Sequence, residues 1–263
     1  MKETIYKLIH FGYRQALCCI FPAAIFITLA LSKQLSIPWL PRYDFILIVC
    51  LLIQVFMISF KLESLDELKV ISLFHIIGLC LELYKVKMGS WAYPEFAYAK
   101  FSGVPLYSGF MYAGVASYIC QAWKRFDLRF VSWPKNKLSY PLITLIYLNF
   151  FTHHYLPDFR WIITLLLFIV FFRSSVTFKV NTIGIGKVNV YRMPILLSFA
   201  LIGFFIWIAE NISTFFGAWQ YPNQKHGWHM VHLSKISSWF LLVIISIVIV
   251  ANLKKIKYPD QFS

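Results

Sequence analysis

Two glutamates stand in a repeated pattern, Glu-x6-Gly-[Ser/Ala]-Trp-x-Tyr-Pro, and each lies inside an apolar stretch. The first copy begins at Glu82 and the second at Glu210, so the copies are offset by 128 positions in a chain of 263 residues. A carboxylate in a membrane-length apolar segment is costly and usually faces a cavity or a partner. Burial disfavours the charged form of a carboxyl group, which suits general acid or base chemistry. The pattern therefore predicts that both glutamates are catalytic, as proton donors or acceptors.

The two copies differ one helical turn after the glutamate. Lys85 follows Glu82 at the spacing of a local ion pair, whereas Ser213 follows Glu210. An ion pair would give Glu82 a structural role. We therefore rank Glu210 above Glu82 as a catalytic candidate.

Each copy ends in a glycine and an aromatic turn. Gly89 and Gly217 suit the position that follows a helix C-cap, and the proline that closes each copy prevents the helix from continuing. The aromatic residues have two interpretations: anchors at the membrane interface, where Trp and Tyr are enriched, or a substrate-binding surface beside the acids. The substrate-binding candidates are Trp91, Tyr93, Trp219, Tyr221 and, at the start of the next apolar stretch, Tyr107.

Five of the seven histidines lie on the side of the spans that is predicted to be external. His153 and His154 end an apolar stretch and are predicted to assist the glutamates as catalytic residues. His226, His229 and His232 form a His-x2-His-x2-His run, and imidazole suits zinc, iron or copper. His229 and His232 are therefore candidate metal ligands. The alternative is an interfacial loop without a metal, which the neighbouring glycine and tryptophan favour.

The composition excludes an ordinary soluble domain, because 59% of the residues are hydrophobic and only 14% are charged. Apolar runs of roughly 20 residues, the length that crosses a bilayer core, predict an all-α, polytopic transmembrane helix bundle. We expect eight spans, at residues 13–32, 44–61, 67–87, 105–124, 139–156, 159–177, 194–214 and 232–252. The span at 139–156 ends in polar residues, and if it only dips into the membrane the count becomes seven.

The basic residues predict how these spans are oriented. With the N terminus inside, 17 of the 25 Lys and Arg residues lie in cytoplasmic segments and 8 lie outside, as the positive-inside rule favours. Both termini are thus predicted to be cytoplasmic. The net charge of +14 is explained by this orientation and by contact with an anionic lipid bilayer. Nucleic-acid binding is excluded, since the basic residues flank spans and form no single soluble face.

Eight spans give four to each half of one integral membrane domain, residues 1–263, with internal repeat halves of about 1–130 and 131–263. An even number of spans keeps the halves in the same orientation, so we predict a parallel repeat about an axis along the membrane normal. The seven residues from glutamate to glycine amount to roughly 10 Å of helix. Both glutamates are therefore expected about two turns below the external surface.

Other residues inside the apolar segments are interpreted as packing residues. The five cysteines form no Cys-x-x-Cys pair and no visible disulfide framework. Gly109, Ala113 and Ser117 repeat every four residues, which is typical of close helix contacts. His75 is interpreted as a hydrogen-bonded packing residue and not as a ligand.

One connection between spans has the character of strands. Residues alternate around Gly184 and Gly186, which predicts a small cytoplasmic hairpin from Val180 to Arg192. The glycines lack the spacing and the Ser or Thr of a phosphate-binding loop, so we exclude nucleotide binding there.

Four stretches of the chain resemble an uncharacterised family of bacterial multi-pass membrane proteins, the YoaT-like family. They are Leu81–Trp91, Gly103–Phe110, Asn149–His154 and Ile208–Gln224. The resemblance covers most of the chain. It implies a protein of the bacterial cytoplasmic (inner) membrane and brings no established activity.

A shorter pattern resembles the repeat of the small integral-membrane lycopene cyclases. Trp91, Tyr93 and Pro105 match the order of that repeat. Where those proteins have a pair of glutamates, this chain has Tyr107 and Ser108. The resemblance therefore implies a shared architecture, and a fold alone does not specify a function.

Three functions remain open. The leading hypothesis is a membrane enzyme or binding protein for a lipophilic small molecule, with an outward-facing site of glutamates and histidines. The alternative is a proton-coupled small-molecule transporter, in which Glu82 and Glu210 alternate between protonated and charged states. The third is a non-catalytic membrane scaffold in which the repeats serve packing.

Overall fold

The computed structural model describes residues 2–35, 37–181 and 188–257, and these residues are predominantly helical. Apolar segments without glycine or proline satisfy their backbone groups most readily as helices. The nine α-helices of the described residues are α1 (Lys2–Cys18), α2 (Ile20–Ser32), α3 (Arg42–Ser59), α4 (Leu65–Lys87), α5 (Gly109–Phe126), α6 (Asn136–Thr152), α7 (Arg160–Phe171), α8 (Ile195–Phe215) and α9 (Lys235–Lys257). The described residues also include a 3-10 turn before α5, Leu106–Ser108, and another after α8, Pro222–Gln224.

The strands of the described residues are short and antiparallel. Strands β1 (Lys100–Phe101) and β2 (Val104–Pro105) form one pair, and β3 (Arg129–Val131), β4 (Ser175–Asn181) and β5 (Val188–Pro194) form a three-stranded sheet. In the sheet, Arg129 lies opposite Thr177 and Ser175 opposite Pro194. The hairpin predicted near residues 180–192 is thus present, as β4 and β5. The two glycines of its predicted turn, Gly184 and Gly186, lie outside the described residues.

The described residues cluster into two compact units. The first, which we call the sheet unit, comprises the described residues of Met1–Leu17, Ala122–Trp207 and His232–Ser263. The second, which we call the motif unit, comprises Cys18–Gln121 and Ile208–Val231, without the undescribed residue 36. Both copies of the repeated pattern belong to the motif unit.

Within the described ranges, three helical segments are long and apolar enough to cross a membrane: Arg42–Ser59, Ile195–Phe215 and Lys235–Asn252. Helices α1 and α2, taken together, make a possible fourth crossing. Helices also occupy the predicted spans at 67–87, 105–124 and 139–156 over most of their length, as α4, α5 and α6. The chain is therefore a helical protein, and the residues that the structure describes contain three to four candidate membrane spans.

Two predicted spans differ from the helices that form. The span predicted at 13–32 is interrupted at Cys19, because Pro22 has no N–H to donate to the carbonyl of Cys18. The span predicted at 159–177 stops at Phe171, and its last residues join β4. The β-branched Val176 and Thr177 favour an extended backbone, and both pair with β3. A count of apolar residues alone could not distinguish these strand residues from the continuation of a helix.

Both copies of the pattern end their helix in the same way. Gly89 and Gly217 each adopt φ +68°. Each glycine donates its N–H to the carbonyl of the residue three positions earlier. The residue after each glycine donates its N–H to the carbonyl of the residue five positions before itself. This is a Schellman cap, which requires a left-handed residue that glycine adopts without strain. The predicted role of both glycines is confirmed.

Replacing either glycine by alanine is expected to destabilise the protein. Gly89→Ala and Gly217→Ala should each lower the free energy of unfolding by about 1 kcal/mol, because a Cβ strains the left-handed backbone. Unfolding by denaturant in detergent micelles measures this loss. Gly12→Ala is the matched control, since Gly12 lies in α1 with no atom within 4 Å of the added Cβ. Equal stability of all three variants would contradict the role of the two caps.

Candidate functional site

The two aromatic turns lie against each other in the motif unit. Ala92 donates its N–H to the carbonyl of Gln220, and Gln220 donates to the carbonyl of Ala92, both at 2.9 Å. These residues occupy the same position in the two copies, between Trp and Tyr. The ends of α4 and α8 are therefore brought together by a reciprocal pair of backbone hydrogen bonds.

Arg42, at the start of α3, ties the second turn to the first. Its guanidinium donates to the carbonyls of Phe216 (2.5 Å) and Gly217 (3.1 Å), just after α8, and forms an ion pair of 2.6 Å with Glu95. It also donates to Ser32 at the end of α2, at 2.9 Å. A cation at the C-terminal end of a helix satisfies free carbonyls and complements the helix dipole.

Three more contacts fix the loop between α4 and α5. The carboxylate of Asp44 accepts the backbone N–H groups of Tyr98 (2.7 Å) and Ala99 (2.8 Å). Tyr107, which is fully buried, donates its hydroxyl to the carbonyl of Ala218. Lys100 donates to the carbonyl of Tyr93 at 2.6 Å. The aromatic residues of the first copy are thus held in place from both sides.

Glu82 is buried, with 5% of its surface exposed, and its carboxylate is surrounded by aromatic donors. Trp91 donates its indole N–H at 2.6 Å, Tyr93 its hydroxyl at 2.7 Å and Tyr112 its hydroxyl at 2.9 Å. Among the described residues these three neutral groups provide its hydrogen bonds. Trp91 and Tyr93 come from the predicted motif, whereas Tyr112 comes from α5.

Gly78 makes room for Tyr112 to reach Glu82. A Cβ on Gly78 would lie 2.4 Å from the Tyr112 ring, which is closer than any packed contact allows. Gly78 and Glu82 are one turn apart on α4 and lie on the same face. The tyrosine ring therefore crosses α4 over the glycine and places its hydroxyl on the carboxylate.

Glu210 is also buried, with 4% of its surface exposed, and accepts the hydroxyl of Tyr221. Trp219 in turn hydrogen-bonds to Tyr221. The rings of Trp91 and Tyr221 meet edge to face, 5.9 Å apart. Through these residues the donors of the two glutamates are in contact.

The hydroxyls of Tyr93 and Tyr221 stay protonated at physiological pH. Burial raises the pKa of both well above the ordinary value of a tyrosine, and the neighbouring Glu82 and Glu210 raise it further. Both hydroxyls therefore remain hydrogen-bond donors. The interpretation of these two residues as interfacial anchors does not describe them, because both are buried and point at a carboxylate.

The ion pair predicted between Glu82 and Lys85 is wrong. Among the described residues, the carboxylate of Glu82 bonds the three aromatic donors and not this lysine. Lys85 is buried, with its ammonium 5.8 Å from the ring centre of Tyr84. Our reason for ranking Glu210 above Glu82 is therefore lost.

His153 and His154 belong to the sheet unit and follow α6. Their rings lie 4.1 Å apart, and Nδ1 of His153 is 3.1 Å from the carbonyl of Asn149. Asn149 also donates to Asp158, at 3.0 Å. The glutamates belong to the motif unit, so the catalytic role of the two histidines stays a prediction.

His229 and His232 are both exposed. The ring nitrogen Nδ1 of His232 lies 2.8 Å from the hydroxyl of Ser234. Within the described ranges, no group of three or more His, Cys, Asp or Glu residues is arranged to hold a metal ion. Their role as metal ligands also stays a prediction.

The structure confirms close packing at the small residues of α5 and corrects one part of the interpretation of His75. Gly109, Ala113 and Ser117 are buried on α5, and a Cβ on Gly109 would lie 2.8 Å from the His75 ring. Nδ1 of His75 is buried, however, and has no hydrogen-bond partner among the described residues. The residue packs closely, as predicted, but the expected hydrogen bond at this nitrogen is absent.

The sequence analysis missed Arg42 and Asp44 as site residues, and it did not link Tyr112 to Glu82. Arg42 and Asp44 flank a predicted span, where charged residues are common. Tyr112 appears among several tyrosines of one apolar segment. The one local signal was Gly78, which interrupts the apolar face of α4 at one turn from Glu82.

The fold defines a helical protein with three to four candidate membrane spans in its described part, and two buried glutamates lie near the ends of helices α4 and α8. A family model described as "Protein of unknown function (DUF817)" matches residues 7–247, and the chain belongs to this family. It is 58% identical over 255 residues to the uncharacterized protein YoaT of Bacillus subtilis (strain 168), with 97% of this chain and 94% of that protein covered. The predicted membership of a YoaT-like family is confirmed. No solved structure matches the chain.

Removing one donor from Glu82 is expected to cost stability. Tyr93→Phe should lower the free energy of unfolding by about 1.5–3 kcal/mol, the range for a hydrogen bond to a charged group, and by less if Glu82 is protonated. Tyr98→Phe is the control, because Tyr98 is 75% exposed and only its backbone is bonded to Asp44. Denaturant unfolding of both variants tests the contact, and equal stability would show that the Tyr93 hydroxyl is dispensable.

Proposed function

We propose that this protein binds a lipophilic small molecule from the bilayer and that Glu82 and Glu210 exchange protons at its site. The observation that supports this is the environment of Glu82, a buried carboxylate that three neutral groups hydrogen-bond. One of these donors, Trp91, contacts Tyr221, which donates to the second buried glutamate, Glu210. The cluster offers aromatic surface and groups that can gain or lose a proton.

The contact between the donors of the two acids favours an exchange of protons between them. Two like charges in low dielectric repel each other strongly, and a proton on one carboxyl group relieves this repulsion. Such a group can give its proton to a bound molecule and regain it from solvent, as a general acid or base does. The partly exposed indoles of Trp91 and Trp219 provide apolar contact area for a lipophile, and the buried hydroxyls of Tyr93 and Tyr221 connect this area to the two acids.

The same pair also supports proton-coupled transport as the second candidate function. A transported molecule and a proton can compete for the two coupled acids. Binding of the molecule at one acid then changes how readily the other acid takes up a proton. Proton flux into proteoliposomes, driven by an imposed gradient, distinguishes this candidate from a binding protein or an enzyme. The roles proposed for His153 and His154 as catalytic residues, and for His229 and His232 as metal ligands, belong to either candidate.

We also propose eight crossings in two parallel halves, with both termini on the cytoplasmic side of a bacterial inner membrane. The reciprocal bonds between Ala92 and Gln220 support a parallel repeat, because they relate equivalent positions of the two copies as a two-fold axis does. The charge distribution supports the orientation. Helix α7 would be the shortest crossing, since its twelve residues span about 18 Å.

Infrared spectroscopy tests the proton site directly. In lipid bilayers at neutral pH, the wild-type protein should show the C=O stretching band of a buried, protonated carboxyl group. Glu82→Gln and Glu210→Gln should each remove or shift this band, because either change abolishes the coupling of two acids. Asp66→Asn is the control, since Asp66 is 55% exposed and paired with Lys69. A wild-type protein without this band would overturn the proposal.

Labelling of cysteines in intact cells tests the orientation. Lys87→Cys and Asn223→Cys, both at exposed positions, should react with a membrane-impermeant maleimide in a background without native cysteines. Lys137→Cys, which the orientation places inside, is the control and should react only after lysis. Labelling of one motif loop but not the other in intact cells would contradict the parallel repeat.

A further inference from the structure

Two buried polar atoms lie where α4 meets the start of α5. They are Nδ1 of His75 and Oγ of Ser108, and neither has a hydrogen-bond partner among the described residues. Ser108 is only 1% exposed. Buried polar groups of native proteins are almost always paired with the protein, with ordered water or with a ligand. Two such atoms in one contact therefore indicate a place that another molecule completes.

Both atoms lie along the contact that contains Glu82. His75, Gly78 and Glu82 share one face of α4, at spacings of three and four residues. The His75 ring packs against Gly109 and against the ring of Phe110, at 4.6 Å. Ser108 ends the 3-10 turn that packs against α4. We call this contact, defined by His75, Gly78, Glu82, Ser108 and Tyr112, the α4–α5 seam.

The seam is apolar except for these groups. Ile71 and Phe74 on α4 and Phe110 on α5 are all buried. His75 precedes Glu82 by seven residues, which is roughly 10 Å along the helix axis. A molecule bound at His75 would therefore have its polar end in an apolar surrounding, about two turns from the proton site.

We propose that the α4–α5 seam binds a lipophilic alcohol or phenol through its hydroxyl group. This inference rests on the proposed function and names the ligand class of that site. A neutral imidazole nitrogen is either a donor or an acceptor, according to its tautomer, and a serine hydroxyl is both. A ligand hydroxyl is also both, so it can pair with either atom whichever tautomer His75 adopts.

Other polar groups fit the seam less well. An ether oxygen only accepts and an ammonium group only donates, so each suits one tautomer of His75 alone. A charged group would also lose its hydration in an apolar surrounding. A carboxylate would in addition be repelled by Glu82, the acid of the same seam, when that group is charged. A trapped water satisfies both atoms as well and is treated as an outcome of the experiment.

Four probes of equal chain length separate these classes. Dodecanol, methyl dodecyl ether, dodecylammonium and dodecanoate are titrated against the full chain, and native mass spectrometry counts the bound molecules. Dodecanol should bind most tightly. His75→Phe and Ser108→Ala should each weaken its affinity about tenfold, because each removes one buried hydrogen bond.

Two variants separate binding from folding. Ser198→Ala is the matched control, since Ser198 also has a buried hydroxyl without a partner among the described residues but lies on α8. It should leave the affinity for dodecanol unchanged. His75→Asn places an amide close to the position of Nδ1 and should retain most of the affinity. It provides the folded comparison if His75→Phe does not fold.

The outcomes distinguish the ligand class from the broader proposal. If dodecanol binds best and loses affinity in the two seam variants, the inference holds. If the ammonium, ether or carboxylate probe binds best, or if dodecanol binds equally to the wild type and both seam variants, the ligand class is wrong while lipophile binding stands. If none of the four probes binds, a trapped water fills the seam and the proposed binding function fails with it.

Discussion

The motif unit depends on one guanidinium group. Arg42 satisfies two carbonyls after α8, pairs with Glu95 in the α4–α5 connection and donates to Ser32 at the end of α2. A planar group with five donors can hold several partners at fixed angles, which the ammonium of a lysine cannot. Through this contact the end of α8 is fixed relative to the loop that contains Trp91 and Tyr93. The geometry around both glutamates follows from it.

The helix ends and the separation of acid from turn could be predicted from the sequence, because both are local. Seven residues from Glu82 to Gly89, followed by a proline, specify a helix that ends at a left-handed glycine. The donors to Glu82 were harder to predict from the sequence, since they depend on how a loop folds back and on which tyrosine of α5 faces α4. The Lys85 prediction failed because spacing shows only that two residues are near, whereas Glu82 has three better-placed donors.

The apolar segments could also be predicted only in part, because their positions are a local property of the sequence and their backbone conformation is not. A count of apolar residues finds the segment but not its backbone conformation. It could not show that Pro22 breaks the first span or that Val176 and Thr177 pair as a strand. Arg42 was hidden for another reason: a basic residue next to a span is expected from orientation alone. Its function became visible only when the end of α8 was placed beside it.

The reciprocal pairing of Ala92 with Gln220 has a consequence for symmetry. A segment that pairs with its equivalent about a two-fold axis can also do so between two identical chains, where the surroundings of both segments would have to match. Within one chain the two copies of the pattern are free to differ. The position 128 residues after Tyr112 is Phe240, which has no hydroxyl, and Lys85 has Ser213 as its counterpart. The two glutamates therefore have different neighbours, which identical subunits of a symmetric dimer could not provide.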